Sequence, residues 1–409
     1  MSGPPAYAQL ELKMVQKLLS DDGAAEDQLG YSVSVDGDTA VIGANYDDDQ
    51  GDRSGSAYVF VRSGTEWIQQ QKLIAPDGAA DDMFGSAVSV DGDTIVIGNS
   101  LDDDKALNAG SAYAFTRSGT DWSLQQKFTA LDGTAHDRFA GSVSIDGDTI
   151  VIGAANDDEK GRSSGSAYVF TRTGETWTQQ EKLVAYDASN YDNFGTSVSV
   201  DSDTIAVGAW ADDSASGSVY VFTRSGTGWN LQQKIIANDA ASEDRFGGAV
   251  SLSQDTVLIG SHGNDENGNY AGAAYVFLRS DSTWNIQQKI VGDPGTGFGR
   301  SVSLSGDTAV IGSPSSDDYG KDSGAAYVFT RSGEIWTEQR RLIASDGAAG
   351  DIFGGYSNSI VSVDSNNTIL IGSLFNDNVN GINAGAAYMF DFDSENRKSF
   401  KVFLYLLQN

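Results

Sequence analysis

Phe84-Gly85-Ser86-Ala87-Val88-Ser89-Val90, Thr94-Ile95-Val96-Ile97-Gly98, Gly110-Ser111-Ala112-Tyr113-Ala114-Phe115 and Trp122-Ser123-Leu124-Gln125-Gln126-Lys127 follow one another closely, and each join carries Gly, Asp or Ser. β-branched and aromatic runs punctuated by such residues read as strands. The stretch recurs throughout the chain. Its Phe-Gly mark falls at Leu29-Gly30, Phe84-Gly85, Phe139-Ala140, Phe194-Gly195, Phe246-Gly247, Phe298-Gly299 and Phe353-Gly354, at steps of 55, 55, 55, 52, 52 and 55 residues. The Trp of the fourth run recurs at Trp67, Trp122, Trp177, Trp229, Trp284 and Trp336. Four strands per unit at a period near 50 predict β-propeller blades rather than a helical solenoid.

The two ends decide how the ring closes. After Phe353 only three strands are expected, over 357–363, 368–372 and 386–390, and no seventh Trp follows. The missing Gln-Lys pattern stands instead at the other terminus, in Val15-Gln16-Lys17. The expectation is therefore an all-β chain: a seven-bladed β-propeller of four-stranded antiparallel blades, closed by the N-terminal strand. It spans 12–393, with tails at 1–11 and 394–409. Closure would remove the exposed edges of an open stack. The apolar segment 400–407 has no partner in this scheme.

Within a unit, Asp36-Gly37-Asp38 signals a tight hairpin between the first two strands. Thr39-Ala40-Val41-Ile42-Gly43 is apolar throughout and suits a strand buried between blades.

Composition narrows the function classes. The 409 residues hold 57 acidic and 26 basic side chains, a net charge of −31, and no Cys. Polyanionic nucleic acid and anionic membrane surfaces would be repelled. Thiolate metal sites and disulfides are ruled out by the absence of Cys. No apolar run reaches the ~20 residues of a membrane span, so no membrane insertion is expected. The N-terminus lacks the basic and apolar regions of a signal peptide, which leaves a cytoplasmic location open.

Seven copies in register of Phe-Gly, Ser-Val-Ser, Val-Ile-Gly-Ala (Val41 to Ala44, Val151 to Ala154) and Gly-Ser-Ala-Tyr-Val-Phe (Gly55 to Phe60, Gly165 to Phe170) resemble the FG-GAP repeat family. The resemblance extends to the propellers of integrin α chains. It implies a binding or adhesion module, extracellular or on the cell surface, that takes a protein or carbohydrate ligand. Integrin-type blades carry a calcium loop between strands one and two. Here that join is only Asp91-Gly92-Asp93-Thr94, too short for the six to eight oxygens calcium requires, so those sites do not carry over.

In an up-and-down blade, the loops from strand two to three and from strand four to the next blade emerge on one face. Both sets are acidic, which predicts a crown of carboxylates. In one reading these are Asx-turns and caps that fix the loops. In another they hold Ca²⁺ through Asp47, Asp49, Asp102, Asp104, Asp157, Asp265, Asn267 and Asp317, because Asp47-x-Asp49-x-Gly51 and Asp265-x-Asn267-x-Asn269 have hard-oxygen spacing. Ligand binding is expected where the blades differ, at Trp210, Asp212, Asp213, His262 and Asp265; Trp210 stands in a shortened loop. The repeat Trp and Phe are expected to pack between blades. No Arg cluster is expected on the crown, and no Ser-His-Asp arrangement, phosphate loop or zinc spacing appears. The expected function is non-enzymatic, with a carboxylate-based glycan hydrolase or lyase, or a pure scaffold, as alternatives.

Overall fold

The computed structural model describes residues 12–392; the expected tails, including 400–407, lie outside them. The opening strand, β1 (Leu12–Leu18), is followed by seven blades. The first contains β2 (Ser32–Asp36), β3 (Thr39–Ala44), β4 (Ser56–Ser63) and β5 (Glu66–Leu73). The second contains β6 (Phe84–Asp91), β7 (Thr94–Asn99), β8 (Ser111–Ser118) and β9 (Asp121–Phe128). Blades three to six repeat this order with β10–β13 (142–183), β14–β17 (194–235), β18–β21 (246–291) and β22–β25 (302–342). The last blade joins β26 (Val361–Val363), β27 (Ile369–Ser373) and β28 (Ala386–Phe392) to β1, in the order β1-β28-β27-β26. The ring is thus closed by the N-terminal strand, antiparallel to β28.

One expected strand is shorter than its sequence suggested. Ser357, Asn358 and Ser359 belong to a loop, and β26 begins at Val361. The residues inserted after Gly354 leave the ladder, and Asn358 Nδ2 donates to the Thr196 carbonyl of blade four at 2.6 Å.

Each repeated residue type has a fastening role between blades. Phe84 is fully buried, edge-on to Tyr113 at 5.5 Å and Phe115 at 6.3 Å, and it joins Val41, Ala57 and Val59 of the preceding blade in one core. Gly55 bridges Phe84 across the seam. Gly85 has φ +87°, and a Cβ there would run into the Ser56 carbonyl, so only Gly permits the approach. Around the axis, the Ser that follows the Val of each first strand, in Ser-Val-Ser or its variants Ala-Val-Ser and Ile-Val-Ser, accepts a backbone N–H from the next blade. Val90 N–H donates to Ser34, and the chain of bonds closes with Val35 N–H donating to Ser362 at 3.0 Å.

The Gln-Gln pair is explained by a bulge. Val59 pairs with Gln71 and Phe60 with Gln69, so Gln70 is the extra residue. Neighbouring side chains of a regular strand face opposite ways; the bulge lets both Gln70 and Gln71 reach the next blade. Gln71 exchanges two 2.8 Å bonds with the Trp122 backbone, and the Trp122 indole N–H donates to Gln70 at 3.0 Å. Gln16 of β1 makes the same two-way bond with Trp67, latching the closing blade to the first. On the opposite face, Arg117 covers the Trp122 ring, pairs with Asp93 and donates to Thr39 of the preceding blade. Its equivalents at Arg172, Arg279 and Arg331 repeat this pattern.

Candidate functional site

The crown carboxylates lie where the strand order placed them, but they converge on a cation that the chain itself supplies. The Lys after each Gln-Gln sits beneath the loops. Lys127 Nζ lies 2.8 Å from Asp77, 3.0 Å from Asp102 and 2.6 Å from Asp104. Lys72 makes the same three contacts with Asp22, Asp47 and Asp49, and Lys182 with Asp132, Asp157 and Glu159. Lys234 pairs with Asp187 and Asp212, Lys289 with Asp239 and Glu266, and Lys17 of β1 with Asp346. In blade six Arg341 pairs with Asp318.

A tyrosine from the third strand completes each lysine cluster. Tyr58 donates to Asp47 at 2.7 Å, Tyr113 to Asp77 at 2.7 Å, and Tyr168 to Asp157 at 2.9 Å. Asp47 and Asp102 are only 2% exposed, and desolvating a carboxylate is costly unless it is paired and hydrogen-bonded. Burial alone would raise the pKa of Asp77, but hydrogen bonds from Lys127 and Tyr113 outweigh it and hold the carboxyl below its usual range. Asp22, Asp187, Asp239 and Asp346 are held low in the same way by their own lysine and tyrosine. The remaining positions named for calcium are loop fixings. Asp265 accepts the Tyr270 N–H, Asp317 accepts the Asp322 N–H, and Asn267 donates to the Gly292 carbonyl. A divalent ion does not fit an oxygen set already filled by an ammonium. Among the described residues no group of three or more His, Asp or Glu side chains is arranged to hold a metal ion.

The second acid of each loop between blades is a backbone cap. Asp27 accepts the Ala24 N–H at 2.6 Å and Asp82 the Ala79 N–H at 2.8 Å. Burial pushes both carboxyls up to about 6, with the neighbouring Asp47 and Asp102 charges adding to the rise.

The residues that differ between blades form a separate feature. At the loop end of the axis lies a cavity of about 620 Å³, whose lining includes Trp210, His262, Arg138, Arg245, Arg300 and Tyr356. Trp210 and His262, both expected to bind ligand, are therefore brought together. They occupy the same repeat position, the residue directly after strand two, in adjacent blades. Asp212, Asp213 and Asp265 are not part of this lining. Asp212 is buried against Lys234 and Ser218, and Asp213 borders a separate depression with Asp187 and Tyr191.

The expectation of no Arg cluster on this face is corrected. Arg138 and Arg245 each precede the Phe of their blade, and Arg300 follows a Phe-Gly pair. More than fifty residues separate each from the next, and ring closure brings them to one mouth. Arg300 donates to His262 Nε2 at 2.6 Å and to the Tyr356 carbonyl at 2.7 Å, and the Arg245 guanidinium lies 5.4 Å from the Trp210 ring centre. Burial, reinforced by the Arg300 and Arg245 charges, holds the His262 pKa well below its ordinary value, so the imidazole is neutral.

A family model described as FG-GAP repeat matches the chain seven times, at residues 13–60, 67–115, 122–170, 177–222, 229–277, 284–329 and 336–390. No curated protein matches it at a significant level. No described helix is long and apolar enough to cross a membrane.

Proposed function

Because the chain belongs to the FG-GAP repeat family, we propose that it is a non-catalytic binding module that receives its ligand, the end of a glycan or protein chain, in the axial cavity of the loop face. The observation that carries this is the division of labour among the residues. The repeated Phe, Gly, Ser, Gln, Trp, Lys and Arg fasten blades or loops, whereas Trp210, His262, Arg138, Arg245 and Arg300 depart from the repeat and meet around one cavity of about 620 Å³. Ligand sites are concave and of this size, and repeat proteins differentiate in the loops of one face.

In this reading the crown is structural and needs no calcium, because a lysine, or Arg341 in blade six, supplies the positive charge in each blade. The carboxylate-based enzyme is disfavoured for a related reason: the acids with raised pKa, Asp27 and Asp82 together with Asp91, Asp137, Asp192, Asp244, Asp351 and Asp364, each accept a backbone N–H, and no carboxylate lines the axial cavity. An extracellular location belongs to the same proposal, and fractionation of the producing cells tests it. The binding reading is tested on arrays of glycans and peptides with the intact protein and a Trp210→Ala variant. It expects a signal that the variant loses while its melting temperature holds. A signal unaffected by Trp210→Ala would move the site elsewhere.

A further inference from the structure

We infer that the axial cavity binds an acidic sugar, whose oxyanion sits among Arg245, His262 and Arg300 and whose ring lies near Trp210. This rests on the binding reading above and names its ligand class.

Two hydrogen atoms on the cavity wall lack acceptors. His262 is 2% exposed. Its Nε2 faces a guanidinium nitrogen of Arg300 at 2.6 Å, and a guanidinium only donates, so Nε2 is the acceptor. In a neutral imidazole the proton then resides on Nδ1. That Nδ1 has no hydrogen-bond partner, and neither has Arg245 Nε. Both residues line the cavity. Two buried donors without acceptors on one wall are costly, and a ligand bringing oxygens would satisfy them.

The space for those oxygens is present. Gly248 lines the same wall, and a Cβ built on it would stand 3.2 Å from His262 Nδ1. A side chain at 248 would therefore occupy the place where a ligand atom meets the imidazole. Charge points the same way. In a protein of net charge −31 this cavity has three arginines and no carboxylate in its lining. Arg245 pairs with the exposed Glu243 at 3.3 Å, but Glu243 lies outside the lining and, among the described residues, neither Arg138 nor Arg300 has a carboxylate ion-pair partner, so the cavity keeps a positive field; acids beyond ~8 Å are largely screened at physiological ionic strength. Arginine is the side chain suited to planar and tetrahedral oxyanions. Trp210, Tyr31 and Tyr356 supply the aromatic and hydroxyl surface that a sugar ring, rather than a bare anion, would use.

Calorimetric titration with oligogalacturonate, a sulfated galactan oligomer and a neutral galactose oligomer tests this. One or both acidic oligomers should bind at least tenfold more tightly than the neutral one, with affinity falling as salt rises, and the arm that binds distinguishes carboxylate from sulfate. Arg245→Gln should reduce that affinity at least tenfold. Gly248→Ala, whose backbone is not in the left-handed region, should do the same while the circular dichroism spectrum of the folded ring is retained. Equal binding of the neutral oligomer, abolished by Trp210→Ala, would overturn the acidic ligand and leave the binding module standing. No binding of any of the three oligomers would overturn the inference. If array hits were also insensitive to Trp210→Ala, the binding reading would fall with it.

Discussion

Lys127→Met removes the ammonium from one crown cluster and leaves Asp77, Asp102 and Asp104 facing one another. Asp77 and Asp104 are about half exposed and water will screen them, whereas the Asp102 side chain is 2% exposed. Breaking a buried ion pair by deleting one partner costs about 3–5 kcal/mol. Asp102 keeps donors from Asn99, Ser111 and the Asp104 backbone N–H, which places the loss near the lower end, about 3 kcal/mol. With an unfolding entropy of about 2.1 cal/mol/K per residue, a ring that melts as one unit should lose roughly 3–4 °C in Tm. The assay is scanning calorimetry of the intact protein, Lys127→Met, and Lys127→Met combined with Asp102→Asn. The double variant lacks the uncompensated charge and should recover most of the loss. Millimolar Ca²⁺ should raise the Tm of Lys127→Met, whose carboxylates now face an empty centre, and leave the intact protein unchanged. A single variant melting within 1 °C of the intact protein, or equal calcium stabilisation of both, would refute the view that lysine occupies the cation position.

Three further outcomes follow from the fastenings. Gln71→Ala deletes both 2.8 Å bonds to the Trp122 backbone and strands a buried donor and acceptor, at a cost of about 1–3 kcal/mol; a melting curve matching the intact protein's would contradict the latch. Removing residues 1–19 deletes β1, exposes the edge of β28 and frees Trp67 from Gln16; the truncated ring should melt well below the intact one and aggregate, and an unchanged Tm would rule out closure by this strand. The profile of Tm against pH should peak at about pH 5. Asp27 and Asp82, pushed up to about 6, take protons in the folded ring before the unfolded chain does, so stability grows as pH falls through that value. Below ~pH 4 the lysine-paired acids, held low when folded, lose their stabilising contribution as they protonate. His262, held neutral when folded, opposes the first trend as a single group. A steady fall in Tm from pH 7 to pH 4 would contradict this balance.

The ring was legible because its signals are local and repeated. Phe-Gly, the Asp-Gly-Asp turn and the Trp mark fall in register seven times or nearly so, and the stray Val15-Gln16-Lys17 marked the strand absent from the last blade. What stayed hidden depended on relations between chain-distant residues. Gln-Gln-Lys reads as a strand marker; that a bulge turns both Gln outward and leaves Lys beneath the acidic loops appears only once strands are paired. The residues over 357–359 look strand-like by composition, yet Asn358 bonds to blade four across the ring. Arg138, Arg245 and Arg300 each look like a lone substitution within its own copy. A signal for them did exist: the position before Phe reads Gln28, Met83, Arg138, Asn193, Arg245, Gly297 and Ile352, varying while its neighbours repeat. Columns of variation flanking an invariant mark locate the axis more directly than the acidic runs do.

The central claim is that repeated residues build the ring and unrepeated ones bind. Its most direct test is the affinity of the strongest array ligand for three proteins at one ionic strength: the intact chain, Trp210→Ala, and a rim variant carrying Asp81→Asn and Asp213→Asn, two exposed acids of the loop face. At least a tenfold loss is expected for Trp210→Ala and a change of less than about twofold for the rim variant. Loss in the rim variant with full binding by Trp210→Ala would place recognition on the acidic crown and contradict the central claim.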